Sequence, residues 1–312
     1  MSPARAAFFD IGTNTILCLI VEMRDTGRFR VVNDLAEIAR LGQGVDRTAV
    51  ISAEGEARAR QVLARYLDEC KSLGVEEHHA VGTSALRDAT NSAAVRERWR
   101  AQLGLDVRVL SGQEEASYSF LAVQKGLTLT NRELLVIDIG GGSTEFIHGN
   151  DNGVSDAFSV DVGSVRLTER YLHSDPVRPD EMAAMLAFIE EALAPLRRWE
   201  AQRALTLVGI AATFTTLAAV ERQLARYSHS EIHGCVLSLE EVARQRSWFE
   251  NITIAERKRI VGLDPKRADV IFAGACLIER IMISLHATQA IVSDQGVRYG
   301  LLHERLAQIK NC

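Results

Sequence analysis

Proline and cysteine are scarce in this chain, five of each in 312 residues, and each shortage removes a class of protein. Cys18, Cys70, Cys235, Cys276 and Cys312 lie far apart with no Cys-x-x-Cys pair, which argues against a disulfide frame or a zinc site and predicts reduced thiols. Of these, Cys18 and Cys276 read as core and Cys312 as an exposed terminal thiol. There is no Pro-rich linker and no low-complexity tract. No run reaches the ~18 unbroken apolar residues of a membrane span. The opening Met1-Ser2-Pro3-Ala4-Arg5 enters a strand without an apolar signal region, so a cytoplasmic protein is expected. Positive charge is also short, with a formal net charge of −5 and no basic block. That composition argues against nucleic acid as a partner and requires any anionic substrate to be met by a few placed groups.

Against these absences stand 47% hydrophobic and 25% charged residues, an ordinary globular balance in a chain long enough for two domains. Two segments repeat one design. Phe9-Asp10-Ile11-Gly12-Thr13-Asn14-Thr15 and Ile137-Asp138-Ile139-Gly140-Gly141-Gly142-Ser143-Thr144-Glu145 each read as strand, tight turn, strand. Small residues let backbone N–H groups converge on an anion, and the preceding Asp10 or Asp138 is placed to hold a hydrated metal ion. No Lys follows the glycines and no Gly-x-Gly-x-x-Gly occurs there, so neither a Walker loop nor a dinucleotide fingerprint is present.

Hydrophobic patterning predicts strands at Phe8 to Asp10, Ile16 to Met23 and Phe29 to Leu35, the last two joined through Asp25-Thr26-Gly27. A helix capped by Ser52, with Val62, Leu63, Tyr66, Leu67, Cys70 and Leu73 on one face, follows. Next come a strand at His79 to Gly82, a helix near Ser92 to Leu103 and a strand at Val107 to Leu110. That order is ribonuclease-H-like. After a helix opened by Ser111-Gly112-Gln113-Glu114, strands at Leu134 to Ile139, Thr144 to His148 and Val154 to Val160 repeat the opening. Helices at Val165 to Leu172 and Asp180 to Leu193, a strand at Thr206 to Gly209 and a helix from about Thr213 follow. Asp264-Pro265 predicts the start of a long helix through Ile283, ahead of a strand at Ala290 to Ser293 and a helix from Val297 to Ile309 that crosses back to the first half.

Several side chains carry candidate chemistry. Glu114 completes a capping box with Ser111, which leaves the adjacent Glu115 as a candidate base for an attacking water or as a solvated first-turn residue. Arg87 could clamp phosphate bidentately or pair with a nearby acid. His229 and His233 share a loop without a matched third metal ligand.

Taken in order, these segments, with Arg40-Leu41-Gly42-Gln43-Gly44-Val45, Gly82-Thr83-Ser84-Ala85-Leu86-Arg87, Gly163-Ser164-Val165-Arg166-Leu167-Thr168-Glu169, Lys266-Arg267-Ala268-Asp269 and Ser293-Asp294-Gln295-Gly296-Val297-Arg298, resemble the exopolyphosphatase and guanosine pentaphosphate phosphohydrolase family of the actin, Hsp70 and sugar-kinase superfamily. The resemblance implies an α/β protein of two ribonuclease-H-like, actin-like ATPase domains with an interdomain cleft: 1–123, joined by helix 297–312, and 124–296. It implies a hydrolase that releases terminal orthophosphate from inorganic polyphosphate, with guanosine pentaphosphate as the alternative substrate and a non-catalytic polyphosphate or nucleotide sensor as the rival class. Sugar kinase activity fits less well. Glu115 becomes the catalytic base, and Asp10, Asp138 and Glu145 become ligands of Mg²⁺ or Mn²⁺. Thr13, Asn14, Arg87, Gly141, Gly142, Ser143, Thr144, Ser164 and Arg267 are assigned to substrate phosphate, with Arg166, Lys266 and Arg298 as further candidates. A homodimer is compatible with the pattern. Two departures stand out. Gly209-Ile210-Ala211-Ala212-Thr213 carries alanines where the family has glycines, and Arg298-Tyr299-Gly300 replaces Arg-Glu-Gly. Longer members add a helical His-Asp domain for which this chain leaves no room.

Overall fold

The computed structural model describes residues 4–24, 28–129, 133–199 and 205–310; the expected Asp25-Thr26-Gly27 turn and Cys312 lie outside them. Two compact units emerge, Met1–Lys125 with Gly296–Cys312, and Gly126–Gln295. The first contains β1 (Arg5–Ile11), β2 (Thr15–Arg24), β3 (Arg28–Ile38), α1 (Val45–Thr48), α2 (Ala53–Ser72), β4 (Glu77–Gly82), α3 (Ser84–Asp88), α4 (Ser92–Leu103), β5 (Val107–Val109) and α5 (Gly112–Gly126). The second contains β6 (Leu134–Ile139), β7 (Thr144–Asn150), β8 (Gly153–Val160), α6 (Ser164–Tyr171), α7 (Pro179–Ala192), β9 (Thr206–Ile210), α8 (Ala211–Glu221), α9 (His229–Ile232), β10 (Val236–Ser238), α10 (Leu239–Glu250), α11 (Ile254–Arg257), α12 (Ile271–Ser284) and β11 (Gln289–Val292). Helix α13 (Val297–Lys310) returns to the first unit.

The first sheet runs β3-β2-β1-β4-β5, with β1 antiparallel to β2 and parallel to β4. The second runs β10-β11-β9-β6-β7-β8, the same order read backward with β10 added at an edge. Both are mixed α/β sheets of the ribonuclease-H order. Strands β1 and β6 are central, so both faces are covered and both read as nearly continuous apolar runs. Along β1, Ala7, Phe9 and Ile11 face a core shared with Val62 and Leu63 of α2 and Trp99 of α4. Ala6 and Phe8 face the other core, with Tyr118 of α5 and Tyr299 and Leu302 of α13. Phe8 and Phe9 are fully buried, each contributing about 1.5–3 kcal/mol of apolar burial. Period-two alternation then places Asp10 on the face of Phe8, toward α5 and α13.

Elements with local signals form close to where the pattern places them. Ser52 caps α2 by accepting from Gly55 N–H at 3.0 Å. Asp264-Pro265 is different: it opens only a 3₁₀ turn, Pro265–Arg267, and the regular helix begins at Ile271. There the Asp264 carboxylate accepts from Lys266 N–H and the Arg267 N–H donates to the Asp264 carbonyl, an i+3 pattern that closes a tight turn. Strand β10 and helices α9, α10 and α11 had no counterpart in the pattern reading. Ser238 caps α10 through Glu241 N–H at 3.1 Å, so a Ser-x-x-Glu signal was present.

Candidate active site

In the first unit, three parallel strands end side by side. Asp10 pairs with Val81, Ile11 with Gly82, and Gly82 with Val109, so the residues after β1, β4 and β5 leave from one edge of the sheet, where α/β proteins place their ligand groups. After β1 the chain turns at Gly12–Thr15. The carbonyl of Thr13 accepts from Gly42 N–H at 2.8 Å, and that of Asn14 from Ala39 and Arg40 N–H at 3.0 and 2.9 Å. A trans peptide aims its N–H opposite its C=O. Tying the Thr13 carbonyl back therefore turns the Asn14 N–H outward, where it meets no acceptor among the described residues. Gly42 is required at this tie: a Cβ there would lie 2.4 Å from Thr13 Cγ2. The Thr13 hydroxyl bonds Ser84 Oγ at 2.7 Å, and the Asn14 amide nitrogen, nearly fully buried, has no hydrogen-bond partner among the described residues. A buried amide donor is costly to leave unmade, and an anion at the turn would satisfy it.

Beyond β5, Ser111 and Glu114 form a complete capping box: Ser111 N–H donates to Glu114 Oε2 at 2.8 Å and Glu114 N–H to Ser111 Oγ at 3.2 Å. Arg108 holds the other oxygen of Glu114, and the Ser111 hydrogen bonds keep this carboxyl below its ordinary range. Glu115, one residue on, is buried with 7% exposure and accepts from Arg87 Nη1 at 2.9 Å. Arg87 Nη1 also reaches the Leu110 carbonyl at 3.2 Å. Burial pushes the Glu115 carboxyl up, more than the Arg87 hydrogen bond and charge pull it down, and Asp88 adds to the rise. Burial likewise lifts Asp10 to about 7, with Glu115 raising it further and Arg298 opposing. Both carboxyls are thus raised chiefly by burial, the direction in which an enzyme tunes a carboxylate toward a base.

The second unit repeats the turn with more donors. Gly140 N–H closes it on the Ser143 carbonyl at 3.0 Å. The Gly140 carbonyl accepts from Ser164 N–H at 3.1 Å, and the Gly141 carbonyl from Val165 and Arg166 N–H at 2.9 and 3.0 Å. The Gly142 carbonyl accepts from Arg166 Nε at 2.7 Å. With those carbonyls engaged by the start of α6, the N–H groups of Gly141, Gly142 and Ser143 turn the other way and donate to nothing among the described residues. They form a concave donor set suited to a phosphate. Gly163 permits the contact: a Cβ there would lie 2.5 Å from the Gly141 carbonyl oxygen.

Asp138 stands opposite Glu145 in the β6–β7 register, so their side chains share a face. Among the described residues no three His, Cys, Asp or Glu side chains form a ready metal cage. Asp138 and Glu145 in this unit, like Asp10 in the first, are carboxylate donors of the class that Mg²⁺ or Mn²⁺ takes, hard cations that retain water and need one or two protein oxygens. Glu145 is 2% exposed and accepts from Ser159 Oγ at 2.9 Å.

Thr144, expected to offer a backbone N–H to phosphate, is fully buried and seats the turn, its hydroxyl donating to the Val162 carbonyl at 2.6 Å. Two expectations need correction. Ser164 is buried and acts on the Gly140 carbonyl, again from behind the loop. The Arg298 guanidinium forms a fork on Asp34, with both bonds at 3.0 Å, joined by Tyr299 Oη at 3.1 Å. Asp34 and the backing role of Arg166 were invisible to pattern reading, since both depend on contacts distant in sequence. Arg267 is buried in its 3₁₀ turn. His229 and His233 stack at 5.1 Å beside one acid: His229 Nδ1 hydrogen-bonds Asp294 Oδ2 at 2.5 Å, and His233 Nδ1 lies 3.2 Å from Asp294 Oδ1. A cavity of about 980 Å³ opens on the first unit between α5 and α13, lined by Arg108, Glu114, Tyr118 and His303; Glu115 is not among its lining residues.

Residues 19–309 match the Ppx/GppA phosphatase family. Exopolyphosphatase 2 of Mycobacterium tuberculosis is 34% identical over 96% of this chain and 98% of its own length. The guanosine-5'-triphosphate,3'-diphosphate pyrophosphatase of Vibrio atlanticus is 26% identical over 99% of this chain and 61% of its own. A crystal structure of an exopolyphosphatase from Cytophaga hutchinsonii superposes with a TM-score of 0.90 at 30% identity, covering 97% of this chain and 98% of that one.

Proposed function

The chain belongs to the Ppx/GppA phosphatase family, and from that premise we propose that this phosphoanhydride hydrolase is an exopolyphosphatase that releases terminal orthophosphate from inorganic polyphosphate. The observation that carries the mechanism is Glu115, a buried carboxylate whose proton affinity is raised by desolvation and which Arg87 holds at 2.9 Å. Phosphoryl transfer asks for an oriented water and neutralised oxygens rather than covalent chemistry. In this reading Glu115 takes the proton of the attacking water, and Arg87 fixes the carboxylate and brings a planar guanidinium to phosphate. The Asn14 N–H and side-chain amide in one unit, and the Gly141, Gly142 and Ser143 N–H groups in the other, bind phosphate oxygens. Asp10, Asp138 and Glu145 would hold Mg²⁺ or Mn²⁺, which when bound supplies charge neutralisation for the leaving phosphate. Three N–H donors in a row suit a repeating anion and make no demand for a base.

Phosphate release from polyphosphates of several lengths and from guanosine pentaphosphate, each with and without Mg²⁺, tests the proposal. The expected result is a higher kcat/KM on polyphosphate with orthophosphate as the product. Preference for the nucleotide would select the activity named for the Vibrio relative, and binding without hydrolysis would select a sensor.

A further inference from the structure

Four peptide units form the turn from Gly140 to Thr144, and three have a carbonyl held by a backbone N–H donor, that of Gly140 with the Ser164 hydroxyl beside it. The carbonyls of Gly140 and Gly141 accept from N–H groups at the start of α6, and that of Ser143 from Gly140 N–H. The peptide between Gly142 and Ser143 is the exception. Among the described residues its carbonyl accepts from one group, Arg166 Nε, at 2.7 Å. We infer that Arg166 is a positioning residue of the phosphate loop: it holds the Gly142 carbonyl back so that the Ser143 N–H on the same peptide faces the phosphate.

This inference rests on the reading of Gly141–Ser143 as a phosphate site and adds how one donor is aimed. The Arg166 side chain is 12% exposed and its terminal nitrogen lies 4.0 Å from Asp161. Burial and the like charge of Arg170 both disfavour its charged state, with Glu169 opposing them. A surface cation free to gather substrate would not be placed so. Gly142 has no Cβ to limit rotation of the peptide that follows it. Without the Arg166 donor, that peptide can tilt until an oxygen rather than an N–H approaches the anion.

Two substitutions separate positioning from charge. Arg166→Met keeps the stem and removes the donor. Arg166→Lys keeps the charge but puts a methylene where Nε–H stood, since the lysine nitrogen lies one atom further out. The probe is inorganic phosphate, titrated into ¹⁵N-labelled full-length protein while the amide signals of Gly141, Gly142 and Ser143 are followed. In the parent chain all three should move. In both variants Gly141 and Gly142 should still move at saturation while the Ser143 shift falls by at least about half. Polyphosphate kcat/KM should fall about ten- to a hundredfold in both, the worth of one charge-assisted hydrogen bond, and the loss should persist in high salt. A Ser143 response equal to the parent's in either variant, or restoration of activity by Lys, overturns the inference while leaving the phosphate site standing. Silence of all three amides in the parent chain overturns the phosphate reading and the inference with it.

Discussion

Replacing Glu115 with glutamine tests the chemistry most directly. Glutamine has the same shape, and its carbonyl oxygen can still accept from Arg87 Nη1, which now lies 2.9 Å from Glu115 Oε2. What disappears is the capacity to take a proton. A positioned general base is worth about 10² to 10⁴ in rate, or about 2.7 to 5.4 kcal/mol of barrier at 1.36 kcal/mol per tenfold. The variant should therefore bind polyphosphate normally and turn over about 10² to 10⁴ more slowly. The pH profile adds an independent check. Burial raises the Glu115 carboxyl above its ordinary range, so parent kcat/KM should fall as pH drops through that raised value, and the variant should lose this acidic limb. Stability should respond in the opposite sense. With the folded pKa above the unfolded one, the native state binds more protons between the two values, and the ionised side chain progressively destabilises the fold as pH rises through that window. Glu115→Gln should then melt no lower than the parent at pH 7 to 8, with the difference closing toward pH 4. Phosphate release within a factor of three of the parent, or an acidic limb that survives, would refute Glu115 as the base.

Asp138→Ala should abolish hydrolysis at ordinary Mg²⁺ concentrations, and full activity in excess EDTA would rule out the metal. Arg87→Lys should fail to restore activity, because a point charge cannot both hold Glu115 and present a planar fork to phosphate; parent-like kinetics would reduce Arg87 to a surface ion pair. Glu114→Ala should lower stability by about 1 kcal/mol through loss of the capping box while leaving kcat near the parent's, and a large kcat loss would move the catalytic assignment. Ala211, at φ 65°, carries left-handed strain of about 1 kcal/mol, so Ala211→Gly should raise the melting temperature, and an unchanged or lower one would count against that reading.

What pattern reading reaches here is what lies close together along the chain. The two Asp-Ile-Gly turns, the Ser111–Glu114 box and the separate status of Glu115 all rest on residues within five positions of one another. The supports of those turns do not. Gly42 backs Thr13 from 29 positions away, and Gly163, Ser164 and Arg166 back Gly140 to Gly142 from more than 20, so their motifs could be recognised as matching a family without their task being visible. Thr144 shows the same limit. Its place after Gly140-Gly141-Gly142-Ser143 reads as one more backbone donor of the loop, and nothing nearby in sequence announces that its hydroxyl is buried on the Val162 carbonyl. The Asp264-Pro265 start shows another: its cap signal is real, but a side-chain bond to the second following N–H serves a 3₁₀ turn as well as a helix.

The repeat of design between the units stops at the strand exits, and there the division of labour becomes visible. Strands β4 and β9 are equivalents, each parallel to the central strand of its sheet. What leaves β4 is Thr83-Ser84-Ala85-Leu86-Arg87, and what leaves β9 is Ala211-Ala212-Thr213-Phe214, with no ionisable group. Beyond β5 the chain sets Glu115 beside Arg87. Beyond β11 it sets Asp294, an acid already committed to His229 and His233. An acid engaged by two imidazoles is a poor proton acceptor for water, whereas Glu115 is desolvated and meets one guanidinium. On the proposed reading, proton transfer falls to the first unit, and the N–H groups of Gly141, Gly142 and Ser143 give the second unit the larger share of phosphate donors. Exchange of the two roles by substitution would have to supply both a carboxylate after β9 and a support for it, which explains why a duplicated loop does not imply a duplicated active site.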